Sequence, residues 1–270
     1  MRIITLNLLR DLTRWDERKH LLLDEFEHLQ PDVIALQEVA LPLNTAEWLA
    51  ARLRGYSVHL TPKNGRMSTR EALATLTRLP VREVHRIDLG AQHRVAQAIL
   101  LNGPQALTLV NGHFYWSPGD SAQRAQQIRR IHTWIRRMHG HEPERGIVVC
   151  GDFNSTPESR SMQLMQEEFV SAHHAHHGAE PAYTVPTPLH ISQSPLRTAA
   201  LRLYNLALQR KSTPWRGTVD YIFVSHNLRV RDCRIVFDRH APHDVTLFPS
   251  DHLGLVADLE TSNFATTQTI

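Results

Sequence analysis

Residues 147–159 read IVVCGDFNSTPES. The apolar run Ile147-Val148-Val149-Cys150 ends on Gly151 and then on two polar side chains, Asp152 and Asn154, separated by Phe153. A short apolar run closed by glycine suits a strand buried on both faces. The residues that follow suit a helix start, with Thr156 as cap and Pro157 in the first turn, or with Ser155 and Glu158 as a capping box. A carboxylate at the end of such a strand is most often a turn former. Whether Asp152 and Asn154 do chemistry depends on what the other strand ends carry.

Five further stretches repeat the pattern of a polar residue at the edge of a β run: Asn7 in TLNLL, Glu38 in LQEV, His113 in NGHF, Asp220 in TVDYIF and Asp251-His252 in SDHLGL. Each has an ordinary explanation when taken singly: Glu38 as a solvated carboxylate, His113 as a hydrogen-bonded core histidine. Together they supply hard oxygen donors from several strand ends, with no cysteine or paired-histidine motif. That donor set suits Mg²⁺ or Mn²⁺ rather than zinc. Magnesium keeps waters and takes one or two carboxylates, which leaves positions for phosphate oxygens. The expected chemistry is attack of water on a phosphoester.

The remaining sequence supplies a frame for these sites. Residues 2–9 and 32–39 read as buried strands around a helix-prone segment, 16–30, and a second helical segment, 44–54, closes at Gly55. The β-rich runs 56–61, 71–77, 82–88, 95–102 and 106–114 are spaced like a meander. Over 121–138, Ile128, Ile131, Ile135 and Met138 recur at helical spacing, and the last β runs are 218–225, 229–237 and 253–259. No repeat of short period and no Gly/Ser linker divides the chain, so residues 1–262 read as one domain and 263–270 as a frayed tail.

Composition is that of an ordinary globular protein: 41% hydrophobic and 21% charged residues among 270, with a formal charge of +3 that permits an anionic substrate. No apolar run is long enough to span a bilayer, and MRIITLNLLRDL reads as a first strand rather than a signal peptide. The two cysteines, Cys150 and Cys233, read as buried thiols, which fits a cytoplasmic location.

The ordered signatures TLNL, LQEV, NGHF, GDFN, TVDYIF and SDHLGL, spread over residues 5–255, resemble the endonuclease/exonuclease/phosphatase (DNase I-like) superfamily. The resemblance implies an α/β fold: a four-layer α/β/β/α sandwich of two mainly antiparallel sheets, with the active site at one end of both. It also implies roles. Glu38 would bind Mg²⁺ or Mn²⁺ with Asn7 and Asp251. Asp152 would orient or deprotonate the attacking water, and Asn154 would hold a phosphate oxygen. His252, paired with Asp220, would act on the phosphate as a cation or acid, and His113 would stabilise charge on the phosphoryl oxygens.

Local detail bears on the substrate. HFYWSP, starting at His113, and TPWRG, before Asp220, resemble segments of the deadenylase branch that contribute a proline and an aromatic ring around a base. Here those are Pro118 and Trp215, with Arg216 beside them. Residues 181–219 contain no Asp or Glu but do contain Arg197, Arg202, Arg210, Lys211 and Arg216, which suits a polyanion rim. The stretch 194–211 also fits a basic amphipathic helix, with Ser194 as cap and Pro195 in the first turn, which keeps peripheral membrane contact and a phospholipid substrate open. Val219-Asp220-Tyr221 stands where the 5-phosphatase branch carries Cys-Asp-Arg, which disfavours an inositol phosphatase. Arg70-Glu71 replaces the Gly-Asn common in the superfamily, which removes the basis for carrying over substrate contacts from that loop. The histidines of SAHHAHHG, 171–178, read as a polar surface loop rather than a metal site. The leading expectation is a phosphodiesterase acting on nucleic acid or a nucleotide-containing substrate. Alternatives are a phospholipid or other small phosphoester hydrolase, or a non-catalytic binding protein of the same fold.

Overall fold

The computed structural model describes residues 1–102, 106–139, 142, 144–189 and 216–261. Trp215, the basic stretch 194–211 and the tail 263–270 lie outside the described residues. The first strand, β1 (Arg2–Asn7), leads through helix α1 (Trp15–Leu29) to β2 (Val33–Ala40), then through α2 (Thr45–Ala50) to β3 (Ser57–Pro62) and β4 (Glu71–Thr77). The next group is β5 (Val81–Gly90), β6 (Arg94–Leu101), β7 (Leu107–His113), α3 (Ala122–His139), β8 (Gly146–Asp152), α4 (Arg160–Gln166) and β9 (Val170–Ser171). A short α5 (Ala172–His177) precedes β10 (Asp220–Val224), β11 (Leu228–Val236) and β12 (Gly254–Thr261).

These strands form two six-stranded sheets, ordered β11-β12-β1-β2-β4-β3 and β5-β6-β7-β8-β10-β9. Each contains one parallel pair, β1 with β2 and β7 with β8. A parallel pair needs a crossover, which α1 and α3 provide. The expected meander is therefore divided: β3 and β4 belong to the first sheet, β5 to β7 to the second. Close spacing along the chain reports hairpins, but it is blind to which sheet each hairpin joins.

Three apolar layers hold the sandwich together. Ile3, Val33 and Ala35 of the first sheet meet Leu109, Val148, Cys150 and Ile222 of the second. The opposite face of the first sheet, with Ile4, Leu6, Ile34 and Leu36, packs on Trp15, Leu22 and Phe26 of α1 and on Ala46 and Leu49 of α2. The opposite face of the second, with Val110, Val149 and Phe223, packs on Ile128, Ile131 and Ile135 of α3 and on Met162 and Met165 of α4. Burial on both faces is why the strands read as continuous apolar runs rather than alternating ones. The result is the four-layer α/β/β/α sandwich.

Some local expectations shift. The helix after Asp152 begins at Arg160, and Ser159 caps it by accepting from the Met162 amide, so neither Thr156 nor the Ser155/Glu158 box does so. Residues 172–177 are a helix, with Ser171 as cap and Gly178 closing it at φ 76°, so the clustered histidines are helical rather than in a loop.

Candidate active site

The sheets gather their polar strand ends, all buried, at one edge of the sandwich, where β1 ends in Asn7, β7 in His113 and β8 in Asp152. Gly151 makes the approach of β7 and β8 possible. Its φ is +135°, and an added Cβ would sit 1.9 Å from the Gly112 carbonyl oxygen, so no side chain fits. Asn154, at φ 50°, turns the chain away: its amide donates to Asp152 Oδ1 at 2.8 Å and its side chain to the Phe114 carbonyl at 3.1 Å.

Glu38 is brought to the same place by a different device. The pairing of β2 with β4 shifts register between Leu36 and Val39, and Glu38 sits in the bulge at φ 54°. A bulge re-aims a side chain that regular alternation would send elsewhere. One Glu38 oxygen accepts from the Arg10 amide at 3.0 Å. The other lies 3.9 Å from His113 Nε2.

Two histidine–carboxylate pairs face each other across the site. His252 Nδ1 is 2.9 Å from Asp220 Oδ2, which also accepts from Thr184 Oγ at 2.6 Å. Burial opposes charge on His252, but Asp220 outweighs it, so the imidazolium is favoured well above the usual histidine range. His113 Nδ1 lies 3.5 Å from Glu71 Oε1, while its Nε2 lies 3.4 Å from Asp152 Oδ2. Here burial wins, reinforced by Arg94 and Lys63, and the ring is held neutral, well below the usual range. Asn7 reaches Asp152 rather than Glu38, its Nδ2 donating at 3.0 Å. Asp251 accepts from Ser250 Oγ at 3.3 Å, and burial raises its pKa.

Asn7, Glu38, His113, Asp152, Asn154, Asp220, Asp251 and His252 thus all lie at one end of the sandwich. Among the described residues, two sets have potential ligand atoms within 4.8 Å of one another: Glu38, Glu71 and His113, and Asp152, Asp220 and His252. Pro118 is exposed on the loop after β7, and Arg216 is exposed with its guanidinium 4.9 Å from the Tyr183 ring centre.

Glu71 is the residue that sequence reasoning passed over. It is 3% exposed and ion-paired with Lys63, while Arg10 Nη1 donates to it at 3.2 Å and Arg94 stands 4.0 Å away. Lys63 and Arg94 are likewise buried, and burial, then Arg94, pull the Lys63 pKa down to about 8. Nothing local in STREALATL marks a buried acid, because its partners come from the loop after β1, the turn after β3, and strands β6 and β7. Gln37 and Asn111 were equally silent. They join the two sheets just beneath the site by a 2.8 Å hydrogen bond, and Asn111 donates onward to the Leu36 and Ala74 carbonyls.

The sequence profile of the Endonuclease/Exonuclease/phosphatase family matches residues 4–252. The chain belongs to that family. Among curated relatives, rat nocturnin is 28% identical over 271 residues, covering 91% of this chain and 58% of nocturnin. The CCR4-Not complex 3'-5'-exoribonuclease subunit Ccr4 of Kluyveromyces lactis is 26% identical over 192 residues, covering 65% of this chain and 24% of that protein. The chain therefore spans little more than half the length of one and a quarter of the other. The human Nocturnin catalytic domain with bound sulfate anion superposes with a TM-score of 0.73 at 23% identity, covering 97% of this chain and 94% of that one. D. rerio TDP2 complexed with single strand DNA product does so with a TM-score of 0.74 at 18% identity, covering 97% and 99%. These superpositions establish the family's fold across the described sandwich. Among the described residues no helix is long and apolar enough to cross a membrane.

Proposed function

We propose that this chain is a divalent-metal-dependent phosphodiesterase acting on nucleic acid or a nucleotide-containing substrate. The observation that carries the reading is the facing arrangement of a cationic His252 and a neutral His113 around Asp152. Phosphoryl transfer asks for positioning, charge neutralisation and an oriented nucleophile, and these groups supply all three. Asp152, fixed by the Asn154 amide and by Asn7, accepts the proton of the attacking water as its oxygen bonds to phosphorus. The P–O bond to the leaving group breaks, and the departing oxygen takes a proton from His252 or from solvent. His252, kept charged by Asp220, neutralises developing negative charge on the phosphoryl oxygens. The neutral His113, backed by Glu71, offers a hydrogen bond there without adding a cation. Asn154 holds a phosphate oxygen.

The set Glu38, Asn7 and Asp251 fits a hard cation, since its donors are carboxylate and amide oxygen, and Glu71 and His113, the other groups gathered about Glu38, add no thiolate. Glu38, Asn7 and Asp251 would hold Mg²⁺ or Mn²⁺, which when bound supplies charge neutralisation and orientation at the phosphate. On the substrate side, Pro118 and Trp215 would enclose a base, and Arg216 would meet a phosphate. The name of the relative Ccr4, a 3'-5'-exoribonuclease subunit, supports a nucleotide-containing substrate, and the two buried free thiols, Cys150 and Cys233, accord with a cytoplasmic protein.

The deciding experiment offers the purified protein, with Mg²⁺ or Mn²⁺, single-stranded RNA and DNA, dinucleotides and phospholipid vesicles. Hydrolysis of the base-containing substrates, abolished by chelation and restored by either ion, is expected. Strict dependence on zinc, full activity after exhaustive chelation, or hydrolysis confined to phospholipid would overturn the reading.

A further inference from the structure

Two loops border the site, one leaving β1 after Asn7 and one leaving β7 after His113. Each is followed by a helix whose first turn carries a buried arginine: Arg18 in α1, 0% exposed, and Arg124 in α3, 1% exposed. Neither ends on a carboxylate. Arg18 donates to the carbonyls of Leu8 at 3.0 Å, Asp11 at 2.8 Å and Thr13 at 3.2 Å. Arg124 donates to the carbonyls of Tyr115 at 3.2 Å, Ser117 at 2.8 Å and Gly119. In both loops the bonded carbonyls are spaced along the chain beyond the active-site residue, so the planar fork stitches successive turns to the start of the helix. Arg18 makes one bond more, to the Pro249 carbonyl at 3.0 Å, which joins the first loop to the segment entering Asp251 and His252. Burial draws its pKa down to about 10 against the opposing pull of Asp251 and Asp11, so it stays charged at neutral pH while its N–H groups are met by carbonyls.

We infer that Arg18 and Arg124 are a matched pair of positioning residues, the first fixing the metal-binding side of the site and the second fixing the substrate-binding loop. The division follows from what each loop carries. The Arg18 loop contains Arg10, whose amide holds Glu38, and is tied to the segment bearing Asp251. The Arg124 loop contains Pro118 and Trp116, the latter 56% exposed with its backbone held at both ends by Gln92 at 2.8 Å. Gln127 adds a bond from the Tyr115 amide at 2.8 Å. An exposed tryptophan on so heavily bonded a loop is a preorganised contact, because little conformational freedom remains to be lost on binding.

The inference rests on the proposed function for its assignment of sides, and its test includes readouts that need no turnover. Arg145 provides the control. It is 6% exposed and also donates to two carbonyls, of Leu101 at 2.9 Å and Leu107 at 3.2 Å, but at the opposite end of the second sheet. Arg18→Lys and Arg18→Met should weaken Mn²⁺ binding, measured by titration calorimetry, roughly tenfold or more. They should also speed amide hydrogen exchange over residues 8–14, with KM at saturating Mn²⁺ unchanged. Arg124→Lys should speed exchange over 114–121 and raise KM for a dinucleotide roughly tenfold, with Mn²⁺ affinity unchanged. Arg145→Lys should lower Tm and alter neither constant. Should Arg18→Met not fold, Arg18→Lys carries the same comparison. Equal effects of all three arginines on metal and substrate, or loss of Tm alone at Arg18 and Arg124, would overturn the inference. An inactive wild type whose loops still loosen as described would instead discard the functional reading and leave the clamps in place.

Discussion

The two halves of the molecule are built to one plan and do opposite electrostatic work. In each sheet the third and fourth strands are a parallel pair, β1-β2 and β7-β8, and the strand beside the fourth opens on a buried acid, Glu71 or Asp220. Asn7 pairs with Gln37 across the first pair, and His113 with Asp152 across the second. The strands flanking β1 and β7 are entered near His252 and Arg94 respectively. The second half's acid, Asp220, faces His252 and keeps it charged. The first half's acid, Glu71, is surrounded by Lys63, Arg94 and Arg10, and the cations left over help keep His113 neutral. One scaffold thus pushes two imidazoles to opposite protonation states, the arrangement from which acid and base roles separate.

Neither half owns a complete pair. His113 belongs to the second sheet and Glu71 to the first. Asp220 belongs to the second, and His252 enters the first through β12. The site exists only where the sheets pack, over the Gln37–Asn111 hydrogen bond. The halves differ also in how they aim a carboxylate. Asp152 comes in regular register, whereas Glu38 needs a bulge and a left-handed φ.

Substitutions can break this comparison in a graded way. The largest effect is expected at Asp152: Asp152→Asn keeps the shape but removes the proposed proton acceptor, and kcat should fall roughly 10²–10⁴-fold in steady-state assays. His252→Ala should be similarly severe, and the double variant should lose less than the product of the two, because groups acting as a unit are not additive. Near-normal turnover in either single variant would dissolve the roles assigned to Asp152 and His252. The two acids should then part company. Glu71→Gln leaves Lys63 and Arg94 buried without their carboxylate, so unfolding experiments should show a loss of about 3–5 kcal/mol. Asp220→Asn, which keeps hydrogen-bonding capacity toward Thr184, should depress kcat far more than Tm. Similar stability losses in both would make the halves electrostatically alike.

Smaller effects sharpen the picture. Trp215→Ala should weaken productive binding of base-containing substrates by roughly 1–3 kcal/mol, with hydrolysis of a base-free diester little changed. Equal loss on both would leave Trp215 a structural residue. At the small end, Asn44 and Ser159 cap the corresponding helices α2 and α4, each accepting from an amide three residues on. Asn44→Ala and Ser159→Ala should each cost about 1 kcal/mol in denaturant unfolding without altering turnover. A kinetic effect from Ser159→Ala alone would show that α4 helps set the Asp152 turn.

The amino-acid sequence by itself determined the elements and most of the polar strand ends. Apolar runs closed by Asn7, His113 and Gly151-Asp152 can be recognised because burial on both faces leaves a continuous hydrophobic signal that stops where the strands turn polar at the site. The 3.6-residue spacing of Ile128, Ile131 and Ile135 likewise reports the buried stripe of α3. The resemblance carried by six ordered motifs supplied the fold, which periodicity alone would have left as a meander. Only the tertiary structure decided that the chain forms two sheets of matching strand order, that Glu38 is turned inward by a bulge, and that Glu71 lies buried against His113. It alone distinguished Arg18 and Arg124, which in sequence are ordinary charges on polar helix starts. The physical reason is common to all of these. Hydrophobic patterning is a local property of the chain, whereas the protonation state, burial and partners of a charged group are set by residues that only packing brings near. Glu71, Arg94 and His113 lie on three different strands of two sheets and Lys63 just beyond the end of a fourth, and no short window of sequence contains them together.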